Sequence, residues 1–192
     1  MGVSLTRISE DEYLAIDRAA EFRSEFLDGE MIAMSGGSIR HAQLQANLLG
    51  ELFAAIRGSD CRMYTSDFRV RVSKTRMYAY PDASVVCGKP VLADERQDIL
   101  LNPAVIFEIL SPSTEKYDRG VKFQNYRTID SLMDYILVAQ DAVRVEHYTR
   151  GDDNTWTLRD HQTLEEELKI VSIGVSLPLS RIYDRVELPP AA

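Results

Sequence analysis

Residues 103–110 read Pro-Ala-Val-Ile-Phe-Glu-Ile-Leu, an apolar run interrupted once, by Glu108. Successive side chains of a strand point to opposite faces, so a strand apolar at nearly every position needs cover on both. A chain that holds one must be layered, with elements packed on each side of a sheet. The 192 residues, 45% apolar and 27% charged, suffice for one domain with a continuous core, and residues 1–192 are read as a single domain.

Periodicity and turn residues give the other elements. Ser9-Glu-Asp-Glu12 has capping-box spacing and opens a short helix carrying Tyr13, Leu14 and Ile16. Asp28-Gly29, between residues 24–27 and 30–34, predicts a hairpin. Gly36-Gly37 breaks the chain before a second helix, whose Leu44, Leu48, Leu49, Leu52, Phe53 and Ile56 make one apolar stripe that Gly58 ends. Strands are expected over 63–72, 80–87 and 104–110. Pro112 closes the third, and Ser113 or Thr114 caps a helix running to about residue 128. Strands over 134–139, 143–149, 155–159 and 168–172 follow, before a tail ending Leu188-Pro-Pro-Ala-Ala. This order predicts a mixed sheet with helices packed on it.

Composition removes several classes of function. Lys and Arg number 22 against 30 Asp and Glu, a net charge of −8, which argues against a polybasic or histone-like protein. It leaves room for a nuclease, which needs only a local basic patch. No apolar stretch approaches the length of a membrane span, and Met1-Gly-Val-Ser-Leu-Thr-Arg7 has no apolar core, so neither span nor signal peptide is expected. Cys61 and Cys87 have no metal spacing and make no framework of bridges, so a reducing cytoplasm is the expected location.

The chemistry centres on Glu108. An ionised carboxylate in a strand with no wet face costs several kcal/mol unless paired, which points to a buried ion pair, a metal ligand or an acid/base group. Asp82, after Pro81 at the head of the preceding strand, is an ordinary turn residue by itself; with Glu108 it makes two carboxylates entering one sheet from neighbouring strands. Such oxygen ligands suit Mg²⁺ or Mn²⁺. Asp118, Lys122 and Tyr126, four apart, share one face of the following helix. Alone they read as a surface ion pair; beginning beside the strand's end, the helix can return an ammonium toward the carboxylates.

Tyr80-Pro-Asp82, residues 103–113 around Glu108, Asp118 with Lys122 and Tyr126, and Asp134-Tyr-Ile-Leu-Val138 together resemble the Uma2 restriction-endonuclease family of the PD-(D/E)XK nuclease superfamily. The resemblance covers nearly the whole chain, with Glu25 to Glu30 as the opening hairpin and His41 at a frequent histidine position. It implies an α/β fold of the restriction-endonuclease type: a central mixed β-sheet flanked by helices, an N-terminal hairpin and helix, and a C-terminal β-meander. It also implies Asp82 and Glu108 as metal carboxylates. The superfamily lysine two residues after the second acid is here Leu110, so the resemblance makes Lys122 its replacement; Ile136 stands where an aromatic residue is common.

Glu25, His41, Asp118 and Tyr126 are accessory candidates, and His147 and His161 read as surface residues. Arg69, Arg71, Lys74 and Arg76 form the one dense basic cluster, either a solvated face or a set of phosphate contacts to DNA. The expectation is a Mg²⁺- or Mn²⁺-dependent endonuclease acting on DNA, a homodimer where both strands are cut. The alternatives are a catalytically silent nucleic-acid- or protein-binding module that keeps the fold, and another metal hydrolase using the same carboxylates.

Overall fold

The computed structural model describes residues 7–34 and 36–190; the N-terminal stretch read for a signal peptide and the last two alanines fall largely outside them. In chain order, α1 (Glu10–Ala19) leads into β1 (Ser24–Leu27) and β2 (Glu30–Ala33), then α2 (Ile39–Ile56). β3 (Cys61–Thr65), β4 (Arg69–Val72), β5 (Met77–Ala79), β6 (Ala83–Cys87) and β7 (Ile99–Leu100) precede β8 (Val105–Leu110). A helical crossover follows, made of α3 (Glu115–Tyr117), a π turn (Asp118–Lys122) and α4 (Phe123–Tyr126). Then come β9 (Asp134–Ala139), β10 (Val145–Arg150), β11 (Trp156–His161), β12 (Glu167–Ile170), β13 (Val175–Pro178) and α5 (Leu179–Ile182).

The central sheet has six strands in the order β11-β10-β9-β8-β6-β3, antiparallel except for the parallel β8–β9 pair that the crossover connects. β9, β10 and β11 are the expected meander. Both faces are covered, as the 103–110 run requires. Phe107 and Ile109 pack with Leu44, Leu48 and Leu52 of α2 and with Leu179 and Ile182 of α5. Ile106 and Leu110 pack on the other face, with Tyr126 of the crossover and with Val70, Val72 and Met77. These last belong to a second, five-stranded sheet, β2-β1-β5-β4-β7. That sheet is absent from the sequence reading because the 63–72 pattern passes for one strand. The turn at Ser66-Asp67-Phe68 divides it, sending β3 to one sheet and β4 to the other.

Local chemistry explains the elements that position the site. Ser9 and Glu12 form the capping box, with the Ser9 Oγ accepting the Glu12 N–H and Glu12 accepting the Ser9 N–H at 2.7 Å. Asp28 and Gly29 have φ of 45° and 98°, the doubly positive pair of a two-residue hairpin turn, and a Cβ on Gly29 would meet Arg7 Cβ at 2.8 Å. The helix after Pro112 is shorter than expected and is capped differently. Thr114 makes no side-chain cap, and Ser111 instead accepts the Thr114 N–H through its hydroxyl (3.2 Å) and the Glu115 N–H through its carbonyl (2.9 Å).

Other expectations change with the structure in hand. Cys61 and Cys87 are directly opposed across β3 and β6 and are joined by a disulfide, a contact that sequence spacing cannot reveal. His147 and His161 are buried at 5% and 2% exposure, not on the surface. Among the described residues no helix is long and apolar enough to cross a membrane.

Candidate active site

Glu108 projects from the middle of β8 onto the crossover face and is buried. Its Oε1 accepts from Lys122 Nζ at 3.0 Å and from the Tyr126 hydroxyl at 3.1 Å. The ammonium of Lys122 also lies 2.9 Å from Glu25 Oε1 and 3.3 Å from Asp118 Oδ1. Asp118 meets it by charge alone, since its Oδ1 makes no aligned hydrogen bond. Glu25 comes from β1 and accepts the backbone N–H of Tyr80 at 3.3 Å. Asp118 and Lys122 stand at the two ends of the π turn, a wide turn of a kind often found at functional positions. The expected face of Asp118, Lys122 and Tyr126 is therefore real, and it is aimed at Glu108.

Asp82 sits between β5 and β6, just before the register Ala83 to Phe107 begins. Its Oδ2 accepts the Ile109 N–H at 2.7 Å. Its Oδ1 is held from α2, by His41 Nε2 at 2.8 Å and Gln45 Nε2 at 3.1 Å. The N-terminal half of α2 thus bears on one carboxylate while the crossover bears on the other. Gln45 was not among the sequence candidates; its place four residues after His41, on the same helical face, was the available signal. Tyr117 was missed too. Its buried hydroxyl has no partner among the described residues, and its ring centroid lies 5.8 Å from Lys122 Nζ.

The electrostatics follow from burial. Removal from water pushes the Glu108 carboxyl well above the usual range; Lys122 opposes this, and Asp118, Asp82 and Glu25 add to it. For Lys122, burial pulls the pKa down, but Glu108, Glu25 and Asp118 outweigh it and hold the ammonium charged. His41 is raised by its hydrogen bond to Asp82, against burial. Three acidic side chains, those of Glu25, Glu108 and Asp118, therefore share one buried ammonium, with Asp82 as a further acid acting on Glu108. Asp82 and Glu108 offer oxygen donors only, a chemistry that suits an ion such as Mg²⁺ that keeps several waters.

The basic cluster does not join this site. Along β4, Val70 and Val72 face the core beside Tyr126, so Arg69 and Arg71 point to the opposite side, toward α1. Arg69 is internal, bound to Asp17 at 2.9 Å and Asp98 at 2.6 Å, which removes it from the DNA-contact candidates. Arg71 pairs with Glu10 at 2.8 Å, Lys74 with Asp130 at 2.6 Å, and Arg76 with Asp28.

Comparison with known proteins gives the chain's family and fold. The Uma2 family model, described as "Putative restriction endonuclease", matches residues 10–180. The chain belongs to the Uma2 family. The match spans Glu25, Asp82, Glu108 and Lys122, so the whole cluster lies within the Uma2 region. An uncharacterized protein of Synechocystis is 34% identical over 178 residues, 92% of each chain. A second from the same organism is 37% identical over 161 residues, covering 83% of this chain and 91% of its own. A crystal structure from Anabaena variabilis, titled a putative nuclease of a domain family of unknown function, superposes with a TM-score of 0.74 at 18% identity. It covers 92% of this chain and 97% of its own, and it shows that the Uma2 chain has the fold of that protein.

Proposed function

We propose that this Uma2 protein is a Mg²⁺- or Mn²⁺-dependent endonuclease that hydrolyses phosphodiester bonds of DNA. The observation that carries the reading is the Lys122 ammonium at 3.0 Å from Glu108, brought there by the crossover helix in a chain whose residue two positions after Glu108 is Leu110. Asp82 and Glu108 would hold the cation, which when bound supplies Lewis-acid polarisation of a phosphate and a more acidic water. The chain's own groups do the rest. Lys122 orients the attacking water and offsets charge developing on the phosphoryl oxygens. Tyr126 and Lys122 fix the Glu108 carboxylate, and His41 and Gln45 fix that of Asp82. Membership of a family described as restriction endonucleases, and the nuclease fold, support the reaction class.

The test is cleavage of supercoiled, linear and single-stranded DNA, with Glu108→Ala in parallel. Activity is expected in Mg²⁺ and Mn²⁺, absent in EDTA, and poor in Ca²⁺, which prefers more and longer oxygen contacts. Nicking that persists in Glu108→Ala would trace to a contaminant. One observation favours a second reading, a catalytically silent binding module: the acidic chain's basic cluster is engaged in internal ion pairs. DNA or protein binding without cleavage in any metal would establish it.

A further inference from the structure

Cys61 and Cys87 lie on adjacent strands at the edge of the central sheet, directly opposed, so both side chains project to the same face. Both are half-buried and bonded to each other. The exposed carboxylate of Asp60 stands beside them, with Oδ1 3.9 Å from Cys61 Sγ. The two sulfurs and an Asp60 oxygen all lie within 4.8 Å of one another, the one such group of three cation-ligating atoms among the described residues. The backbone holds the group in place. The Gly88 N–H donates to the Asp60 carbonyl at 3.1 Å, Arg62 Nη1 donates to the Gly88 carbonyl at 2.8 Å, and Ser59 Oγ accepts the Cys61 N–H at 3.1 Å.

We propose that reduction of the Cys61–Cys87 bond converts this edge into a Cys₂Asp site for a thiolate-loving divalent cation, zinc foremost. Two thiols of a reductant pass two electrons to the bridge; the S–S bond breaks, both cysteines become thiols, and the reductant leaves as its disulfide. The cation then binds two thiolates, each losing its proton to solvent, together with the Asp60 carboxylate, and water completes four-coordination. Two sulfurs and one oxygen favour zinc over the Mg²⁺ that suits an all-oxygen set. Bridge and cation exclude each other, because each needs both sulfurs. The site is at the Cys87 end of β6, and Asp82 precedes the other end, so the proposal is independent of the nuclease reading.

The whole chain, reduced with a water-soluble phosphine that is then removed under argon, is titrated with Co²⁺ as a spectroscopic probe and next with Zn²⁺. A thiolate-to-cobalt charge-transfer band is expected at one cation per chain, displaced by Zn²⁺ and missing from the unreduced protein. Cys87→Ser should lose the band, and Asp60→Asn should weaken binding by at least about tenfold. Three results would overturn the proposal: no charge-transfer band at saturating Co²⁺, undiminished affinity in Asp60→Asn, or loss of the folded circular-dichroism spectrum on reduction alone. Carboxylate-bound cobalt at Asp82 and Glu108 gives no such band, so the two sites are read separately.

Discussion

Glu108 and Lys122 carry opposite stability consequences, and substitution separates them. Lys122 lies within 3.3 Å of three carboxylates. Lys122→Met leaves those acids uncompensated and should cost about 3–5 kcal/mol at neutral pH, measured by urea denaturation. A loss below about 1 kcal/mol would show that the cluster is not held by charge. Glu108→Gln keeps shape and hydrogen bonding to Tyr126 while removing one charge from an acid-rich site, so it should leave Tm unchanged or higher while cleavage disappears. The pH dependence has a definite sign. An acid whose native pKa is raised binds its proton more tightly when folded, so its contribution to stability declines as pH climbs from the ordinary glutamate value toward the raised one. Tm profiles of wild type and Glu108→Gln should converge near pH 4 and separate toward neutrality, with the variant above.

At the scale of elements, α1 and β4 are joined through a second buried ion cluster in which Arg69 binds Asp17 and Asp98. Burial pushes Asp17 up, but hydrogen bonds from Tyr80, the Ser24 N–H and Arg69 outweigh it and leave its pKa lowered. The Asp98 pKa is lowered by Arg18 first and also by Arg69. Depressed acids contribute stability that is complete above their unfolded value, near pH 4, and is lost as pH falls through the native one. Asp17→Asn should therefore destabilise by about 3 kcal/mol at pH 7 and make the acid limb of the Tm profile shallower. A parallel acid limb would dismiss the pair as a source of stability.

For the whole molecule, a net charge of −8 with Arg69 internal leaves Arg71, Lys74 and Arg76 as what remains of the dense basic cluster. The logarithm of DNA affinity against that of salt should then have a slope no steeper than about −3, at roughly −0.9 per phosphate neutralised. A slope near −8 would require a basic surface elsewhere. Much of the architecture was legible from periodicity, because the central sheet's apolar strands and the α2 stripe are driven by local pattern. Glu108, Asp82 and Lys122 stood out because each is polar where pattern or resemblance gave it meaning. The second sheet was not legible, since β5 and β7 are two or three residues long and pair with partners distant in sequence. The same limit hid the disulfide, the burial of His147 against Asp134, and the inward turn of Arg69, all products of contacts between distant segments.

The cluster around Glu108 draws on β1, the Pro81-Asp82 bend, α2, β8 and the crossover, segments that belong to two different sheets. No subset of neighbouring residues can assemble it. A chain emerging from the ribosome holds Glu25 and Asp82 long before Lys122 has been made, and a partly folded chain has the acids without the ammonium beside them. The proposed reaction would thereby be timed by folding itself, with the cluster complete only once the two sheets have docked. On that reading, damage to the docking surface would silence the protein as surely as loss of Glu108 or Lys122.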